Sequence, residues 1–399
     1  MKNFYPTLLL IFLMVFFIGC QNQQSALDQK IDQVLDTAVY QYNYMANRLP
    51  DDRFPKTYHK ANDELETSDS GWWCSGFYAG TMLYLDQVFE SEIFWPEIEN
   101  SLKQLEKEQF NTSTHDLGFM MFCSYGHANR LKPNPAYERI LLNSATSLAS
   151  RYNQNAQAIR SWDSAPWNKG GEDDLVVIID NMMNLELLFW ASEHSGDSRF
   201  SEIAINHANT TMEHHYRDDY SSYHQVTYDE NTGQVKLQIT NQGYADESSW
   251  ARGQAWGLYG YVVMYRQTKD QKYLDFAKGI ADFILNHPNL PNDKVPYWDF
   301  NAPDIPDALR DSSAGAIIAS ALLELSTYTD GDYFNQAEAM LETLLSPVYI
   351  AEKGTNGGFI LKHGVGNMPN KTEIDTPLSY GDYYLVEAMV RYIDLNSNK

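Results

Sequence analysis

Apolar positions recur at helical spacing along almost the whole chain, with polar residues filling the intervals. The pattern predicts helices over about 27–48, 74–90, 92–109, 116–131, 134–152, 174–195, 199–216, 250–268, 271–287, 308–329, 332–348 and 380–395. Breakers stand between them: Pro50 and Pro55, Pro133 and Pro135, Gly196, the cluster from Pro288 to Pro296, and Gly331. One stretch departs from this period. Residues 218–245 alternate in polarity around "DENTG", which predicts a small β-hairpin-like insertion. No Pro-, Gly- or Ser-rich linker divides the chain, so residues 27–399 read as one domain.

The predicted helices fall into two kinds that alternate. "SEIAINHANTTMEHHY" and "YFNQAEAMLETLL" keep a polar face. "WCSGFYAGTMLYL", "HDLGFMMFCSYG", "DNMMNLELLFWA", "WARGQAWGLYGYVVMY", "DSSAGAIIASALLEL" and "SYGDYYLVEAM" open on small or chemically active residues and continue apolar all round. A helix apolar all round is buried, and a one-faced helix lies outside. Six inner helices alternating with six outer ones predict an all-α fold, an (α/α)6 barrel. The starts of parallel inner helices would then ring one mouth: Trp73, His115–Asp116, Asp180, Trp250–Arg252, Asp311–Ser313 and Tyr380–Asp382. Their partly positive ends would point into that mouth.

The first residues change the picture of compartment. Met1-Lys2-Asn3, the run "LLLIFLMVFFIG" and then Cys20 predict a secretory signal over residues 1–19. "FIGC" resembles a bacterial lipobox, which implies lipidation at Cys20, a short tether over residues 20–26, and a lipoprotein facing the periplasm or the cell surface. The net charge is −24, from 29 basic and 53 acidic side chains. That field argues against nucleic acid, and against membrane attachment other than through the lipid. Cys74 and Cys123 lack a CxxC neighbour, and His214 and His215 point apart on a helix, so neither a metal nor a cofactor is expected. Twenty-seven Tyr, 18 Phe and 9 Trp suit a carbohydrate cleft, although cores consume aromatics too.

Asp180 closes the apolar run Val176–Ile179, where by itself it reads as a helix-start aspartate serving the first turn. Together, "HDLGFMM", "IIDNMMNLELLFWA", "QGYADESSWARGQAWGLYGY" and "YGDYYLVEAM" resemble the signature stretches of the unsaturated glucuronyl hydrolases, family 88 of the glycoside hydrolases. "WWCSGFYAG" resembles that family's early Trp-bearing helix start. The resemblance runs from about Trp73 to the C-terminus and implies removal of a 4,5-unsaturated uronic acid from oligosaccharides left by polysaccharide lyases acting upstream. Carried over by position, Asp180 is the general acid/base and Asp116 the second aspartate. His115, Trp73, His224, Gln242, Trp250, Arg252 and Trp256 are the sugar-binding positions.

The chemistry agrees with this. Such a substrate is a vinyl ether, so one acid protonates C4, water adds at C5, and the hemiketal opens to expel the rest of the chain. Burial and a neighbouring Asp116 would raise the Asp180 pKa, while a helix N-terminus would lower it. Each side chain also has a plainer use. Arg252 suits a substrate carboxylate or a buried Asp such as Asp246, Trp250 and Trp256 suit the core, and His115 and His224 suit structural hydrogen bonds. Arg160, Trp162 and Asp163 read equally as cleft rim or packing.

The segment "HGVGNMPNKTEIDTPLSYGDYY" has Gly366, Asn367, Asn370 and Lys371 but no serine pair, where members that act on sulfated glycosaminoglycan disaccharides often present a serine-rich, lysine-containing loop. Glycosaminoglycan-type and ulvan-type fragments therefore both stay open. Three competing readings are a family 105 unsaturated rhamnogalacturonyl hydrolase, a sugar isomerase or epimerase on the same barrel, and a non-catalytic glycan-binding lipoprotein. "HDLGF" and the run through "RGQAW" favour the first family over its sibling, and a mouth supplied mainly by aspartates disfavours the isomerases.

Overall fold

The computed structural model describes residues 25–163, 171 and 174–397, and the signal segment and Cys20 lie outside them. Its helices are α1 (Ala26–Ala46), α2 (Ser75–Val88), α3 (Trp95–Leu105), α4 (His127–Leu131), α5 (Pro135–Ala149), α6 (Leu185–Ser195), α7 (Ser198–His214), α8 (Ala251–Thr268), α9 (Gln271–Asn286), α10 (Ser312–Leu325), α11 (Tyr333–Leu344) and α12 (Ser379–Ser397). A π-helical segment, Gly118–Gly126, runs into α4, and a 3-10 segment, Ile179–Asn184, runs into α6.

Burial separates the helices as the sequence pattern expects. Ser75 through Asp86 of α2 are buried without a break, as are Ala251 through Met264 of α8. In α9 only one face is buried, from Tyr273 to Ile284. The buried helices pack in a closed circuit: α2 on the π-helix, the π-helix on α6, the 3-10 turn on α8, α8 on α10, α10 on α12, and α12 on α2. The amphipathic helices back them, α3 on α2, α7 on α6, α9 on α8 and α11 on α10. A cavity of about 730 Å³ lies among these helices, lined by Arg266, Glu387 and Arg391 and by none of Asp116, Asp180, His224 and Arg252.

The strands are β1 (Phe54–His59), β2 (Glu64–Ser68), β3 (Tyr152–Asn153), β4 (Ala158–Ile159), β5 (Asp174–Ile178), β6 (Gln225–Asp229), β7 (Val235–Ile239), β8 (Gly364–Asn367) and β9 (Thr372–Thr376). The insertion expected over 218–245 is the antiparallel pair β6–β7. It has a third member, β5, which corrects the expected helix over 174–195: five residues pair with β6 before the chain turns into the 3-10 segment and α6. A continuous apolar run reads alike as buried strand or buried helix, and the β-branched Val176, Val177 and Ile178 suit the strand. The helix expected from 308 begins only at Ser312, because Asp311 is its N-cap and accepts from Ser313 N at 3.0 Å. The hairpins β1–β2 and β8–β9 have no alternating signal strong enough to announce them.

The circuit depends on close backbone approach, most tightly at Gly76. A Cβ on Gly76 would lie 2.2 Å from the Phe119 carbonyl oxygen and 2.4 Å from that of Met120. Backbone cannot give way as a flexible side chain can. Gly76→Ala is therefore expected to destabilise the protein by about 1–3 kcal/mol or more, read from the midpoint of urea unfolding.

Candidate active site

The β5–β6–β7 sheet, itself no part of the helical circuit, positions the central pair. Register runs from Asp174 opposite Asp229 to Ile178 opposite Gln225. The next rung is Ile179 N donating to His224 O at 2.9 Å. Asp180 follows directly in the first turn of the 3-10 segment, so the end of one ladder brings aspartate and histidine together. His224 Nε2 stands 3.5 Å from Asp180 Oδ2, and the two side chains are enclosed.

The second aspartate is tied to the same strand through Ser161. Ser161 N donates to Val176 O at 2.8 Å, and Ile178 N donates to Ser161 Oγ at 3.0 Å. Ser161 O accepts from His115 N at 3.3 Å, and its hydroxyl lies 3.3 Å from His115 Nδ1. His115 Nε2 then stands 3.2 Å from Asp116 Oδ1, while Thr114 Oγ1 donates to Asp116 Oδ2 at 2.6 Å.

The two carboxyls are pushed in opposite directions. Burial raises the Asp116 pKa above the ordinary carboxylate range, with the Asp180 charge adding to it and His115 and Thr114 opposing. Burial also acts to raise Asp180, but His224, His115 and Arg252 outweigh it and hold that group below the ordinary range. Burial by itself therefore does not keep a proton on Asp180 in the free protein, because the basic partners decide the sign. His115 is lowered by its own burial.

Arg252 is enclosed and largely engaged. Its Nη1 donates to Asp311 Oδ2 at 3.0 Å and to the Val365 carbonyl, and its Nη2 donates to Gln242 Oε1 at 3.3 Å and to the Gly366 carbonyl. The guanidinium carbon lies 4.5 Å from the Trp250 ring and 5.2 Å from that of Tyr380. Its carboxylate partner is Asp311, not Asp246, whose backbone oxygen accepts from Arg217.

The tryptophans divide by depth. Trp250 meets His224 edge-on at 4.9 Å. Trp73, half-buried, lies 4.8 Å from Tyr380 and 5.4 Å from Phe119. Trp256 is 0% exposed, under Phe119 at 5.1 Å, with its indole N–H unpartnered. Asp382, expected at the mouth, instead pins the backbone N–H groups of Ile360 and Leu361 at 2.9 and 2.8 Å.

Trp162 joins the site, 6.4 Å from the His115 ring and 6.5 Å from that of His224, whereas its neighbour Asp163 pairs with Arg151 at 3.1 Å. Thr114 and Ser161 had no motif to mark them. Only the bridge between Thr114 and Trp162 and the contact of Ser161 with β5 bring them in. Among the described residues no group of three or more His, Cys, Asp or Glu is arranged to hold a metal ion, and Cys74 and Cys123 are free thiols.

No protein-family model matches the chain. An unsaturated glucuronyl hydrolase of Formosa agariphila is 43% identical over 361 residues, 88% of this chain and 89% of that protein. An unsaturated chondroitin disaccharide hydrolase of Streptococcus pyogenes is 33% identical over 373 residues, 91% of each chain. The crystal structure of an unsaturated glucuronyl hydrolase specific for heparin superposes with a TM-score of 0.89 at 42% identity, covering 93% of this chain and 98% of that one.

Three stability experiments follow from this geometry. Arg252→Ala strands the 0%-exposed Asp311 carboxylate, so a loss of about 3–5 kcal/mol in urea unfolding is expected; an unchanged midpoint would assign the guanidinium to substrate alone. Asp116 has a folded pKa above its unfolded one, so its ionisation costs stability as pH rises through that raised value. Asp116→Asn should then raise Tm at pH 7, with the gain vanishing below the ordinary carboxylate range. Asp180, held low, contributes stability above its unfolded pKa that disappears as pH falls through the folded value, so Asp180→Asn should lower Tm at pH 7.

Proposed function

Because this chain belongs to the unsaturated glucuronyl hydrolases, glycoside hydrolase family 88, we propose that it removes the non-reducing-end 4,5-unsaturated glucuronic acid from glycosaminoglycan-type oligosaccharides released by polysaccharide lyases. The observation that carries the reading is the enclosed pair Asp180–His224, with Asp116 tied to the same strand and its pKa raised by burial where that of Asp180 is lowered. Relatives named for heparin and for chondroitin disaccharides support a glycosaminoglycan source. The circuit of buried helices, backed by amphipathic ones, supports an (α/α)6 barrel with the site at one mouth.

Asp180 delivers its proton to C4 of the sugar, which leaves an oxocarbenium ion at C5. Water adds to C5 and returns a proton to Asp180, and the hemiketal then opens to release the remaining oligosaccharide. The acid must be protonated when substrate is bound. The incoming uronate carboxylate supplies the change: a negative charge arriving among Arg252, His115 and His224 offsets the interactions that hold Asp180 low, so its proton affinity rises on binding. Asp116 orients the site and supports it electrostatically. His115, Trp73, His224, Gln242, Trp250 and Arg252 hold the sugar, and Trp256 supports them from below. A lipid at Cys20 would keep the enzyme at the membrane, facing the periplasm or the cell surface, where lyase products arrive.

Mixing the protein with lyase-generated glycosaminoglycan disaccharides should abolish the ultraviolet absorbance of the conjugated enoate while saturated glucuronides stay intact. Hydrolysis of both at comparable rates would overturn the vinyl-ether chemistry. Asp180→Asn should lower kcat by about 10²–10⁴-fold with the helical circular dichroism retained, and loss below about tenfold would transfer the acid role to Asp116.

A further inference from the structure

Two hairpins meet beside the mouth. Thr57 Oγ1 of β1 donates to Pro377 O, just past β9, at 2.7 Å, and β1 packs along β9. From β1, Lys56 extends its ammonium to 5.0 Å from the Trp72 ring. The ammonium pairs with Glu66 Oε1 at 2.6 Å across its own hairpin and with Glu373 Oε1 at 3.5 Å on the other. The two side chains of the inter-hairpin pair are only 17% and 15% exposed, so this is no solvated surface pair.

Glu373 lies directly on Gly366. A Cβ at Gly366 would fall 2.5 Å from Glu373 Oε2 and 2.6 Å from Glu373 Cβ, a space that only glycine leaves open. The Gly366 carbonyl is in turn one of the acceptors of Arg252. The second strand of this hairpin and the residue before it are strained, with Lys371, Glu373 and Asp375 at φ of 56°, 54° and 53° although none is glycine. Such conformations persist where the surroundings enforce them, and they gather at functional sites.

We propose that Glu373, clamped by Lys56, is a positioning residue that presses Gly366 against Arg252 and so fixes the guanidinium between Asp311, Gln242 and the acid Asp180. The pair acts through the Val365 and Gly366 carbonyls, and the reason for joining two hairpins here is to hold a cation rigidly in a site that receives an anion. The proposal rests on the hydrolase reading of the same site.

The test uses the full-length protein, with Lys56→Met, Glu373→Gln, the double variant and Lys56→Arg. In the enoate-absorbance assay each of the first two should lose about 10- to 100-fold in kcat/KM, mostly in KM, the scale of a misplaced binding group. The double variant should lose no more than the worse single one, because the two act as a unit. Lys56→Arg should recover most of the activity, and Tm should stay within a few degrees throughout. Singles within twofold of the parent, additive losses, or losses that follow Tm and vanish on cooling would each overturn the proposal.

A readout free of catalysis separates it from the hydrolase reading. The side-chain N–H resonances of Arg252, assigned by their disappearance in Arg252→Lys, should shift and exchange faster with water in Glu373→Gln. Unchanged resonances overturn the clamp even if the enzyme is active. Shifted resonances support it even if the parent consumes no enoate, in which case the hydrolase reading fails by itself.

Discussion

Holding two carboxylates out of water at close quarters is the constraint on which the rest of the site depends. An isolated buried carboxylate is costly, and a second one nearby adds repulsion. The protein meets this with one histidine per aspartate, His224 for Asp180 and His115 for Asp116, both registered by contacts to β5. The result is asymmetric. The aspartate with more cationic surroundings is held ionised, and the one beside a lowered histidine is pushed toward its neutral form. The acid of a vinyl-ether hydration must carry a proton when substrate is bound, so the cationic surroundings of Asp180 are what an incoming anion has to offset.

The same constraint explains how so acidic a chain receives an acidic sugar. Arg252 carries its positive charge into the site while being held by Asp311 and by two carbonyls of the β8–β9 hairpin. Asp311 also caps α10, so the guanidinium, the helix start and the hairpin form one hydrogen-bonded unit. A planar fork spread over several acceptors is rigid, and rigidity lets a cation stabilise an incoming charge without reorganising. Tyr380 and Trp250 wall it with aromatic faces, which exclude water and strengthen each of these interactions.

The helical circuit contributes direction and stiffness. Its members are apolar all round because every face is covered, by a neighbour in the circuit or by an amphipathic helix behind. Small residues permit that density: Gly76 against the π-helix backbone and Gly118 against Asn184, whose side-chain oxygen accepts from Phe119 N at 3.1 Å. The π-helical segment begins two residues after Asp116, so the widened turn lies where the site meets the core.

By itself, the sequence determined what period and local chemistry can encode. These were the helical class, the alternation of enclosed and one-faced helices, a hairpin within 218–245, and the acidic and aromatic residues that open the enclosed helices. Through the resemblance of its motifs to family 88 it also implied roles for Asp116, Asp180, His115, His224 and Arg252. The tertiary structure alone decided the rest. That Val176–Ile178 is a strand depended on β6 being available to pair with it, which a continuous apolar run does not announce. That Arg252 pairs with Asp311 rather than Asp246, and that Asp180 is held low rather than high, depended on distances between residues far apart in the chain. Period and propensity act over a few residues, whereas the sign of a buried charge's stabilisation is set by whatever the fold brings within a few ångströms of it.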